Sequence, residues 1–176
     1  MGFSRFERPK KPVKVYFAGV SADNQLRSRA TFGIVMERRY FGATAEECGY
    51  IRGTQLFADF AACAACIQLL SDWPWQRVIL FTSSPPVADF LTGKTPISSR
   101  RELQRLQRSI ARLVEGRLAL GPSGSRPFLH LERRADSRRP NGVQIAGVEL
   151  VAPERNRRAL RVARIALAHW DEQPPF

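Results

Sequence analysis

Acidic residues are in short supply in this chain. Sixteen Asp and Glu face 28 Lys and Arg, leaving a formal net charge of +12 over 176 residues. Lysine is scarce as well, standing only at positions 10, 11, 14 and 94, so the positive charge is carried mainly by arginine. Arginine presents a planar fork of donors that matches phosphate, which makes nucleic acid the leading partner class on charge, with an anionic protein or membrane surface as the alternative. Three cysteines, Cys48, Cys63 and Cys66, are an odd number with no disulfide framework, as in a reducing compartment, and a cytoplasmic protein is expected. No apolar run approaches the roughly 18 residues of a membrane span, and the opening MGFSRFERPKKPVK has no apolar signal-peptide core. Gly2 is not in a myristoylation pattern, because Phe6 stands where Ser or Thr is required. With two histidines, His130 and His169, no triad forms around Ser83 and Ser84. PSGS near 122 lacks the Lys of a phosphate loop and reads as a linker.

What is present suffices for one globular domain, with 44% hydrophobic residues. Residues 1–12 read as a flexible basic arm and 13–172 as a single domain. Alternation predicts strands over 13–19, 30–37 and 39–45, joined by short turns as a meander. GTQLFADFAACAACIQLLSDW, 53–73, is apolar nearly all round and predicts a buried helix capped by Thr54. Cys63 and Cys66 have C-x-x-C spacing, but mid-helix and with no second ligand pair they read as small buried hydrophobes. Trp73 and Trp75 are expected to pack the helix exit. RVILFTSS, 77–84, predicts a central strand parallel to the first. A short helical piece, VADFLTG, follows, and then an amphipathic helix over 98–118. PFLHLERR is read as the last strand, 135–153 as irregular, and PERNRRALRVARIALAHW as a C-terminal helix.

This β-β-β-α-β-α-α-β-α order, with three local patterns, resembles the ribonuclease H family over roughly 13–170. VYFAGVSADN looks like that family's first strand, TQLFADFAACAACIQLL like its first long helix, and VILFTSSPPV like its fourth strand. The resemblance implies an α/β fold with a mixed five-stranded sheet and helices on both faces. It also implies a site where four carboxylates hold two divalent metals, one activating water and the other stabilising the leaving oxygen. Placed on this sequence, those four positions are Ala18, Asp59, Ser83 and a residue near Leu160, so one carboxylate survives. The expectation is a fold kept and a classical chemistry lost, with no cofactor. Mg²⁺ enters only if acids such as Asp23, Asp89, Glu149 or Glu154 rebuild a site around Asp59. Otherwise Asp59 is a helix carboxylate accepting a hydrogen bond from backbone or from Ser83.

Arginine is the positive evidence. At 100° per residue, Arg101, Arg105, Arg108 and Arg112 fall in one narrow arc opposite Leu103, Leu106, Ile110, Leu113 and Val114. Arg157, Arg161 and Arg164 share a face of the C-terminal helix, and Leu160, Ala163 and Leu167 share another. The resemblance implies a basic protrusion that grips duplex backbone at the place of the first row. The expected function is a non-catalytic module that binds RNA or an RNA/DNA hybrid, with other protein subunits in a larger ribonucleoprotein and no membrane partner. Two alternatives stand beside it, a protein-interaction or dimerisation module and a divergent metal-dependent nuclease.

Overall fold

Nine residues of alternating burial, VKVYFAGVS, form strand β1 (Val13–Ser21) at the centre of the molecule. Val15 and Phe17 point into one apolar layer, while Tyr16 and Ala18 point into the other. The computed structural model describes residues 12–37, 44–71, 77–114 and 144–172. β2 (Arg29–Glu37) runs antiparallel to β1 with Ala18 opposite Gly33, and β3 (Thr44–Arg52) runs antiparallel to β2. Helix α1 (Gln55–Ser71) then crosses to β4 (Arg77–Thr82), which lies parallel to β1. α2 (Pro85–Leu91) starts on two prolines, whose fixed φ suits a helix's first turn. After α3 (Arg101–Val114), β5 (Gln144–Leu150) joins β4 in parallel, and α4 (Arg157–Ala168) ends in a single 3₁₀ turn, Trp170–Glu172.

The sheet order is β3-β2-β1-β4-β5, a mixed five-stranded sheet of the expected class. Thr54 accepts the Phe57 N–H at 3.2 Å and caps α1 as the sequence predicts. α1 is buried on most sides because it lies between the sheet and α3. Its Phe60, Ile67 and Leu70 meet Phe17, Ile34, Leu80 and Ile110 in the larger core, each such burial stabilising by about 1.5–3 kcal/mol. Close approach of both helix layers depends on two glycines. A Cβ on Gly19 would collide with the α1 backbone at Ala58 and Asp59, and one on Gly33 with the α4 backbone at Ala159 and Ala163. α1 and α4 therefore cover opposite faces of the sheet. No helix among the described residues is long and apolar enough to cross a membrane.

Two strand expectations are corrected. β5 occupies 144–150, inside the stretch read as irregular, because QIAGVEL buries only Ile145 fully and carries Gly147 and an exposed Glu149 on an edge strand. β3 covers Thr44–Arg52, running past the end of the strand read over 39–45, since its own alternation is of glutamates and a cysteine on the other sheet edge; residues 39–43 of that reading lie outside the described residues. The strand read over 127–134, the linker near 122, His130, Trp73, Trp75 and the arm up to residue 11 lie outside the described residues.

Candidate functional site

The carboxyl ends of β1 and β4 meet the first turns of α1 and α4, and polar side chains there knit the four elements together. Gln55, the first residue of α1, accepts the Ser21 N–H at 3.0 Å and donates Nε2 to the Gly19 carbonyl at 2.8 Å. The same Nε2 lies 3.1 Å from Asp59 Oδ1, one helical turn on, and that oxygen also accepts the Gly19 N–H at 3.1 Å. Ser21 donates its hydroxyl to the Gly53 carbonyl at 2.9 Å. In the β1–β2 turn, Asn24 adopts φ 53°, a left-handed conformation Asn tolerates, and its Oδ1 accepts the Gln55 N–H at 2.9 Å. The strand end is thus sewn to α1 by internal hydrogen bonds.

Asp59 is the one carboxylate of this cluster. Burial pushes its carboxyl above the usual range, opposed by hydrogen bonds from Ser84, Gly19 and Gln55. Its side-chain hydroxyl partner is Ser84, where the sequence pointed to Ser83. Ser83 is engaged from the other side: Asn156 Nδ2 donates to Ser83 Oγ at 3.1 Å and to the Phe17 carbonyl at 3.0 Å. Asn156 is the N-cap residue of α4, yet its side chain makes no capping bond and turns inward, 1% exposed, leaving Oδ1 buried without a partner among the described residues. Ala18 is buried in a small apolar cluster with Val35 and Ala159.

Leu160 packs on the cluster that holds Ala18, and Asn156, one turn earlier, is the α4 side chain that hydrogen-bonds across β1 and β4. The helix docks through Ala159 and Ala163 against Gly33, which turns position 160 toward the apolar layer and position 156 toward the strand ends. The sequence signal for Asn156 was its helix-start context, PERNRRAL; Gln55 was signalled only by its position four residues before Asp59.

Two divalent ions do not fit this donor set, which consists of one carboxylate already accepting several hydrogen bonds, the hydroxyls of Ser21, Ser83 and Ser84, and the amides of Gln55 and Asn156. Among the described residues no three His, Cys, Asp or Glu side chains gather into a group able to hold a metal. Asp23, Glu149 and Glu154 are exposed, and Asp89 pairs with Lys94 at 3.6 Å. Cys63 and Cys66 are fully buried in the core, where desolvation raises both thiols well above the ordinary range.

Arg101, Arg105, Arg108 and Arg112 are all exposed on α3, opposite its buried Leu103, Gln107 and Ile110. Gln107 fixes the helix start by accepting the Ser98 N–H at 2.7 Å. Arg105 of this row lines a groove of about 600 Å³ in which Leu26, Phe57 and Leu106 form apolar walls and Arg52 and Glu102 supply further charge. Arg52 is braced there, its guanidinium 5.8 Å over the Trp170 ring and Nη1 donating to the Arg27 carbonyl at 3.3 Å. This groove lies at the first turns of α1, beside the strand-end cluster. Arg157, Arg161 and Arg164 are exposed on α4, on the other side of the sheet. The seven arginines are therefore two separate rows.

Comparison with solved structures identifies the fold. RNase H1 of the halophilic archaeon Halobacterium salinarum is similar with a TM-score of 0.65 and 22% identity, over 90% of this chain and 98% of that one. The N-terminal RNase H domain of a Mycobacterium tuberculosis protein gives 0.65 and 18% identity, over 92% and 96%. LC11-RNase H1 in complex with an RNA/DNA hybrid gives 0.63 and 17% identity, over 90% and 98%. Neither a protein-family model nor a curated protein matches the sequence. The chain has a ribonuclease H-like fold.

Proposed function

We propose that this ribonuclease H-like chain is a catalytically inactive module that binds RNA or an RNA/DNA hybrid through its arginine rows, as a subunit of a larger ribonucleoprotein. One observation carries the reading. At the strand ends, where the family's four carboxylates are expected, a single Asp59 is tied to Gly19 and Gln55, while α3 exposes a row of arginines of which Arg105 lines the neighbouring groove. Loss of the acids removes the means of holding metal against a polyanion. Retention of guanidinium on an exposed helix keeps the means of holding phosphate. A similar fold accommodates an RNA/DNA hybrid in the LC11 enzyme, which supports the choice of ligand.

Such binding is largely independent of sequence and weakens steeply with salt. The test is a salt titration of the purified chain against duplex RNA, hybrid and duplex DNA, with cleavage followed in Mg²⁺ or Mn²⁺. The expected outcome is salt-sensitive binding with no cleavage. Replacing Arg105 and Arg108 with Gln lowers affinity and makes the slope of log K against log salt shallower by about 2, roughly one for each phosphate no longer neutralised. An unchanged slope in that variant refutes the assignment of the α3 row. Metal-dependent cleavage abolished by Asp59→Asn makes the protein a nuclease, and absence of nucleic-acid binding at low salt turns the basic faces toward an acidic protein.

A further inference from the structure

The α3 and α4 rows are separated by the sheet itself. α1 lies on the face marked by Gly19 and carries α3, whereas α4 lies on the face marked by Gly33. Each row is opposite the side by which its own helix is buried: Leu103, Gln107 and Ile110 on α3, and Ala159, Ala163 and Ala166 on α4. With helix and sheet layers each about 10 Å apart and a helix radius of about 5 Å, the two rows stand on the order of 40 Å from one another. A straight duplex seated along one row does not reach the other.

The α4 row has the character of a contact surface in its own right. Arg157, Arg161 and Arg164 follow one another at helical spacing over about 10 Å of axis. Among the described residues none of the three is paired with a carboxylate. Two acids on this side are paired elsewhere: Glu46 holds Arg158 at 3.1 Å, about a quarter-turn round the helix from Arg157, and Asp171 holds Arg29 at 2.9 Å. The three remaining guanidiniums thus face solvent together, with their backbone helix rigidly docked by Gly33 and by the Thr31 hydroxyl, which donates to the Ala163 carbonyl at 2.6 Å. A rigid row of such forks is suited to a phosphodiester backbone.

We infer that the α4 row is a second, independent phosphate-backbone surface, so that one chain holds two nucleic-acid segments at once, one on each side of its sheet. This rests on the reading of the α3 row as a nucleic-acid contact. Its consequence is bridging. The chain would tether two duplexes, or two arms of one folded RNA, and raise the effective concentration of each near the other.

The experiment uses the full chain. Duplex RNA is immobilised, saturated with protein and washed, and a second, fluorescent duplex is then offered. Wild type is expected to capture the second duplex. Arg157→Gln/Arg161→Gln/Arg164→Gln is expected to bind one duplex per chain where wild type binds two, and to reduce capture at least tenfold. Because these side chains are exposed, an unchanged circular dichroism spectrum and melting temperature verify that the variant is folded. Capture that survives in the folded α4 variant overturns the inference, even if the protein proves to be a dimer, because bridging then needs only the α3 rows. Wild type that binds the immobilised duplex but captures no second one also overturns it, and leaves the proposed function standing. Failure to bind the first duplex overturns both.

Discussion

Asp59 and Asn156 are polar residues in similar surroundings with opposite demands. Asp59 is a carboxylate whose desolvation outweighs its three hydrogen bonds, so its folded pKa lies above the unfolded value. A carboxyl raised in this way favours the fold below about pH 4, and that contribution is lost as pH rises through the folded value. At neutral pH the ionised group is therefore a cost. Asp59→Asn keeps an oxygen to accept from Gly19 and Gln55 without the charge. The expected result is a higher melting temperature than wild type at pH 7, with the two converging toward pH 3; a lower one at pH 7 would show that the hydrogen bonds to the charged form dominate. Asn156 makes the reverse case. Its Nδ2 donates to Phe17 and Ser83, and a carboxylate there has no proton to donate and would face the Phe17 carbonyl while buried. Asn156→Asp is expected to cost about 1–3 kcal/mol at pH 7 by denaturant unfolding. A neutral result would mean that the strand end still tolerates an acid, and would weaken the case for a site remade as structure.

At the scale of elements, legibility followed how locally each segment declares itself. β1, α1 and β4 were readable because their burial is nearly complete and their flanking turns and caps, such as Thr54, are local. Both α3 and α4 were readable through the separation of arginine from apolar side chains; α3 buries Leu103, Ile110 and Val114 as predicted, whereas α4 buries Ala159, Ala163 and Ala166, with Leu160 and Leu167 only half-buried. The two edge strands were not. β3 and β5 bury one side at most, and their glutamates and glycines mask the period of two. The candidate site shows the same division. Ala18, Asp59 and Ser83 could be placed from short motifs near the strand ends, where chain distance and spatial distance agree. Asn156 could not, because which residue of α4 faces β1 is decided by docking against Gly33, far earlier in the chain on β2. The resemblance of motifs brought Leu160 to the Ala18 cluster, and only the packed structure located the Asn156 side chain.

The whole molecule carries a charge of +12, and this affects its stability as well as its partners. Like charges repel within the compact state and favour expansion. The ion pairs among the described residues, such as Arg29 with Asp171 and Arg158 with Glu46, are exposed and worth no more than about 1 kcal/mol each, so they do little to offset it. Salt at about 0.1 M screens exposed charges beyond roughly 10 Å, which relieves the repulsion while leaving the core untouched. The free protein is therefore expected to melt at higher temperature in about 0.15 M salt than in about 0.01 M. A bound polyanion relieves the same repulsion by contact. Duplex RNA at about 100 times its dissociation constant adds about 2.7 kcal/mol, or roughly 5–10 °C for a chain of this size. Since that binding itself weakens with salt, the two trends run oppositely: the free melting temperature climbs with salt while the increment from RNA shrinks toward zero. Thermal scans with and without RNA across a salt series measure both. A free protein that loses stability with salt would mean that attractive pairs outweigh the excess of arginine. An RNA increment that persists at high salt would mean that the contact is made by something other than phosphate and guanidinium.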